Sequence, residues 1–169
     1  NARQLLQAMT RRFERGASRP ARAGATLTDA FHRHRMLQAQ RARTLGMLLI
    51  PFEAEHRILL RRAPDVALAC TEACGVAQTP YVASLRELLG WISAHEWRKR
   101  GVEIAALEAR IHAHYGVFSP VRGEYLSLVA QAALPAALGS GGQAFDIGTG
   151  TGVLAALLAR RGVETIVAT

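Results

Sequence analysis

Residues 144–152, AFDIGTGTG, set a carboxylate inside a short apolar run and follow it with glycine at every second position. An ionised side chain in a buried strand is costly unless something beside it needs the charge. Gly148, Gly150 and Gly152 stand where a strand turns into a helix. Glycine at such a turn lets backbone N–H groups approach a ligand and leaves the helix N-terminus open to it. Two kinds of ligand suit the turn. The pyrophosphate of a dinucleotide needs G-x-G-x-x-G/A, and Gly150, Gly152 and Ala155 satisfy that frame. Asp146, two residues before Gly148, would repel a pyrophosphate and attract a cation, because opposite charges within ~4–6 Å favour both ionised forms. S-adenosylmethionine brings an ammonium and a sulfonium and no phosphate, so it gives Asp146 a partner that a dinucleotide does not.

Other residues capable of chemistry are fewer. His112 and His114 would share one face of a strand, but no third ligand lies near them in the sequence, so no metal site is expected. Cys70 and Cys74, spaced i, i+4 in CTEAC, read as two small buried hydrophobes, with neither a second pair for zinc nor a C-x-x-C motif. Trp91 and Trp97 read as packing residues. The net charge is +8, and residues 1–45 carry all of it: ten Arg against Glu14 and Asp29. A partner drawn by charge, such as a nucleic acid, would meet this end, unless the arginines only solvate helix faces.

The elements that must position these residues follow from periodicity. Leu5, Leu6, Met9 and Phe13 predict a first helix, and RGASRPARAGA a loop. Thr26 or Thr28 would cap a second helix reaching about Thr44. MLLIPFEAEHRILLRRAP predicts short helices broken at Pro51. In TPYVASLRELLGWISAHEWRKRG, Thr79 would cap a helix with Pro80 at its first position. Val82, Leu85, Leu88, Leu89 and Ile92 would form its stripe, and Gly101 its stop. RIHAHYGVF alternates like a strand. Ser119 and Pro120 would open a helix running to about Leu134. AFDIG, VLAALLARRG and VETIVAT then predict strand, helix and strand, the opening of a parallel βαβ unit. Half of the residues are hydrophobic, enough for a packed core, and no apolar run is long enough to span a membrane. With no secretory leader in view, the expected location is cytoplasmic.

Two stretches carry a resemblance. FDIGTGTGVLAALLARRG resembles motif I of the class I S-adenosylmethionine-dependent methyltransferases, with Asp146 as its acid and Gly148, Gly150 and Gly152 as its glycines. HYGVFSPVRGEYLSLVA is similar to the segment before motif I in the small-domain methyltransferases, which include release-factor glutamine and ribosomal RNA guanine-N2 methyltransferases. The resemblance covers residues 112–169, roughly a third of the chain. It implies a doubly wound, Rossmann-like α/β domain. S-adenosyl-L-methionine would be held by Asp146, Gly148, Thr149, Gly150, Thr151 and Gly152, with Phe118, Ser119, Pro120 and Arg122 over it. The product would be a methylated nitrogen on a macromolecule, either a protein glutamine or an RNA base.

The expected organisation is an all-helical substrate-recognition or lid domain over residues 1–109, then a β linker and the start of the methyltransferase domain over 110–169. The acid that usually holds the ribose would fall just past Thr169, and the chain contains no N/D-P-P-Y/F motif. Because it opens on NARQLL and stops at a strand, the chain reads as a truncated piece that would not methylate anything by itself. Its catalytic residues are not assigned. Two other readings stand beside this one: a non-catalytic helical module, binding nucleic acid or protein, with a degenerate methyltransferase domain, and an NAD(P)-dependent oxidoreductase.

Overall fold

The computed structural model describes residues 2–17, 26–120 and 123–169. These residues form six α-helices and six short strands, a mixed α/β chain. The strands pair into three two-stranded sheets. The chain divides into two compact units, Asn1–Ile92 and Ser93–Thr169.

In the first unit, α1 (Ala2–Ala17) and α2 (Leu27–Gly46) are joined by an ion pair from Arg41 to Glu14 at 3.0 Å. Thr26 caps α2 in a reciprocal box: its Oγ1 accepts from the Asp29 N–H, and the Asp29 carboxylate accepts from the Thr26 N–H. The loop expected over residues 15–25 lies largely outside the described residues. Antiparallel β1 (Leu49–Phe52) and β2 (Tyr81–Ser84) follow, with α3 (Ala67–Cys74) between them in sequence. The core gathers Ile50, Phe52, Val66, Cys70, Ala83, Leu85, Leu88 and Trp91.

The all-helical expectation for residues 1–109 is therefore corrected. LIPF alternates outward and inward, with Leu49 and Pro51 exposed and Ile50 and Phe52 buried. That is the period of a strand, and Pro51 is tolerated in it because a two-stranded sheet is all edge. Burying Phe52, stacked on Tyr81 at 4.7 Å between ring centroids, contributes about 1.5–3 kcal/mol.

Pairing with LIPF also moves the start of the next helix. Residues 81–84 extend as β2, and α4 runs over Leu85–Arg100 instead of starting at Pro80. Ser84 and Glu87 cap it: Ser84 Oγ accepts from the Glu87 N–H at 3.1 Å, and the Glu87 carboxylate accepts from the Ser84 N–H at 3.0 Å. The bonds that the Ser84 N–H and then its hydroxyl donate to the carboxylate hold Glu87 below its ordinary value. Val82, placed by its periodicity on the helix stripe, is an exposed strand residue. Gly101 does end α4, with φ +72°.

In the second unit, β3 (Val102–Ile104) and β4 (Ala109–Ile111) make an antiparallel hairpin. The expected boundary at 109/110 would cut through β4. The division between units instead falls within α4. β5 (Gln143–Asp146) and β6 (Thr165–Ala168) are parallel, connected by α6 (Val153–Arg160). Ile104, Leu107, Leu126, Val153 and Leu157 form the core.

The helix expected over 119–134 is shorter: α5 spans Glu124–Gln131, with Gly123 at its N-cap. Arg161 closes its other end, donating to the carbonyls of Val129 (2.7 Å) and Ala132. A cation there offsets the negative end of the helix dipole. No helix among the described residues is long and apolar enough to cross a membrane.

Candidate functional site

The glycine loop joins β5 to α6, and Asp146 is the last residue of β5. Asp146 is 6% exposed, and its side-chain partners lie in the loop and in the first turn of α6. Its Oδ2 accepts from Thr149 Oγ1 at 2.8 Å and from the Ala155 N–H at 3.1 Å. Ala155 is the third residue of α6, one of the N–H groups that a helix leaves without an internal partner. The residue at the cap itself, Gly152, has no side chain to serve it and sits at φ +74°. Asp146 thus works as a remote cap, tying the strand end, the loop and the helix start to one oxygen.

The loop is also fixed through its main chain. The N–H groups of Gly148 and Thr149 both donate to the Thr169 carbonyl (2.9 and 3.0 Å), and that of Gly152 to the Thr149 carbonyl (2.9 Å). Gly148, Gly150 and Gly152 all have positive φ.

The upstream segment meets this loop. A Cβ placed on Gly150 would lie 2.9 Å from the Phe118 carbonyl oxygen and 3.1 Å from Phe118 Cβ. Only glycine permits that approach, and it brings together two segments that the sequence separates by about thirty residues. Pro120, two residues on, is buried, while the Phe118 side chain is 64% exposed. Ser119 does not cap a helix as expected, since α5 begins at Glu124 with Gly123 at its N-cap, while Phe118 lies against Gly150 of the loop. The Ser119 Oγ and the Thr151 Oγ1 are buried atoms with no hydrogen-bond partner among the described residues. Arg122 lies outside the described residues.

Other expectations divide. Among the described residues, no group of three His, Cys, Asp or Glu side chains could hold a metal ion. His112 and His114 do not share a strand face, since β4 ends at Ile111. The His112 ring turns to place Nδ1 2.6 Å from the Arg98 carbonyl oxygen. Cys70 is fully buried, but Cys74 is exposed, its thiol donating to the Cys70 carbonyl at 3.0 Å. Trp91 packs in the core, whereas Trp97 is 49% exposed, with Arg100 6.0 Å from its ring.

The sequence reading missed a buried polar pair in the first unit. His56, 2% exposed, places Nε2 2.7 Å from the Gly75 carbonyl and Nδ1 2.7 Å from the Tyr81 hydroxyl. A carbonyl can only accept, so Nε2 carries a proton and donates it to Gly75. Burial first, then the neighbouring thiols, push the Tyr81 hydroxyl up to about 12. Nothing local marks this pair in the sequence, because its members meet only once β2 has formed.

No protein-family profile, curated protein or solved structure matches the chain.

Proposed function

We propose that residues 112–169 form the cofactor-binding opening of a class I S-adenosylmethionine-dependent methyltransferase, with a doubly wound sheet as the parent fold. The observation that carries this reading is the contact of Phe118 with Gly150, which joins the segment before the motif to the motif itself. Three further features support it. Asp146 uses one oxygen on the loop and the first turn of α6, and a carboxylate has about four acceptor sites, so capacity remains for an ammonium group. The hydroxyls of Ser119 and Thr151 are buried and unpartnered, as groups awaiting a polar ligand would be. Phe145 on β5 and Ile147 just past its end are exposed apolar side chains, of the kind that helices cover in a doubly wound fold.

S-adenosylmethionine supplies an electrophilic methyl group on a sulfonium. The chain's own residues would bind and orient it. Asp146 and the loop from Gly148 to Gly152 hold the amino-acid end, Ser119 and Thr151 supply hydrogen bonds, and Phe118 offers an apolar cover. The acceptor would be a nitrogen of a protein or RNA. The exposed Arg11, Arg12, Arg35 and Arg43 on α1 and α2 supply cations suited to RNA phosphates.

Ultraviolet cross-linking of labelled S-adenosylmethionine to this chain tests the reading. Excess S-adenosylhomocysteine should abolish labelling and NAD should not. Competition by NAD, or labelling that neither compound reduces, would overturn it.

A further inference from the structure

We infer that the first unit carries a binding cleft for a small amphipathic carboxylate, an apolar chain ending in an anionic head. The cleft has a volume of about 480 Å³, within the range of small-molecule sites. Its floor is the core itself: Ile50, Leu85 and Leu88 are buried, and Leu89 and Ile92 continue the same surface along α4. Water held there would find few polar partners, which favours an apolar occupant.

The rim has the opposite character. Arg3 from α1 and the consecutive Arg61 and Arg62 border the cleft, and no acidic residue lines it among the described residues. None of these three guanidinium groups has a carboxylate partner among the described residues. Arg62 also adopts φ +68°, a left-handed backbone uncommon for a long side chain and concentrated at functional sites. Three unneutralised forks at the mouth of an apolar slot match one anionic head, and the guanidinium plane pairs with a carboxylate through two parallel hydrogen bonds. The cleft lies wholly in the first unit and does not depend on the methyltransferase reading of the second.

Calorimetric titration of the chain with decanoate at low ionic strength tests the proposal. One saturable site is expected. Decanol, which has the same chain without the charge, should bind about tenfold more weakly or worse, the scale of one charge-assisted contact. The double variant Arg3→Gln/Arg61→Gln removes two exposed charges without touching the core and should lose a similar factor. Ala63→Leu, which fills the slot from its wall, should abolish binding while the circular dichroism spectrum is unchanged. Four results would each overturn the proposal. They are equal affinity for decanoate and decanol, affinity unaltered in the double variant, no binding of decanoate, and binding only to phosphatidylglycerol vesicles.

Discussion

Replacing Gly150 by alanine should destabilise the second unit far more than replacing Gly148, although both glycines have positive φ. At Gly148 (φ +78°) an added Cβ meets nothing within 4 Å, so the cost is conformational alone. A left-handed backbone costs a non-glycine residue about 1–2 kcal/mol. At Gly150 (φ +55°) the same cost applies, and the new methyl also lies 2.9 Å from the Phe118 carbonyl oxygen. That neighbour is backbone, so it cannot swing aside as a side chain would. Forcing an extra methyl into a packed contact typically adds about 1–3 kcal/mol. Gly150→Ala should therefore cost about 2–5 kcal/mol and Gly148→Ala about 1–2. Hydrogen exchange read by mass spectrometry separates the terms. Both variants should loosen residues 146–157, but only Gly150→Ala should raise deuterium uptake in residues 114–120. Equal losses in the two variants, with unchanged uptake upstream, would refute the packing of Phe118 on Gly150.

Asp146→Ala removes the acceptor of two hydrogen bonds and strands the Ala155 N–H, so it should cost about 2–3 kcal/mol in urea unfolding. Asp146→Asn keeps an acceptor oxygen and should cost less than half as much. Tyr81 favours its neutral form more in the folded chain than in the unfolded one, where its value is near 10. The stabilisation it provides is whole below about 10 and lost as pH rises towards about 12. Denaturation midpoints across that window should fall, and in Tyr81→Phe they should fall less. At neutral pH, alkylation of the native chain should label Cys74 alone, and slowly, since burial raises its thiol and pushes that of the enclosed Cys70 up to about 11. Labelling of Cys70 without denaturant would contradict that. If the N-terminal arginines bind RNA, Arg11→Glu/Arg12→Glu should flatten the dependence of log affinity on log salt, each lost phosphate contact removing about 0.7–0.9 from the slope.

Legibility followed the range of the interaction that decides each element. Local signals were enough for β5, α6 and β6, where glycines punctuate the chain, and for α2, whose cap lies three residues from its partner. Ser84–Glu87 was equally local, an S-x-x-E pattern in plain view, but the Thr79–Pro80 pair offered a competing start that reads as well in isolation. Only pairing with Leu49–Phe52, some thirty residues earlier, decides between them. The same holds at the candidate site. Asp146 and its glycines stand together in the sequence and in space, while Phe118 meets Gly150 only once the chain has folded. Arg161 shows the limit most simply. As one basic residue among several it carries no mark, yet it closes the end of α5 from across the second core.

The single oxygen of Asp146 that serves both Thr149 and Ala155 has a kinetic consequence. The loop and the first turn of α6 lean on the same acceptor, so moving Asp146 disturbs both. An excursion that carries the Asp146 carboxylate out of place frees the Thr149 hydroxyl and exposes the Ala155 amide together. Among amides of the first turn, that proton is therefore a clock: its exchange rate reads out how often the loop opens. A ligand that stills the loop would slow the clock without touching the helix.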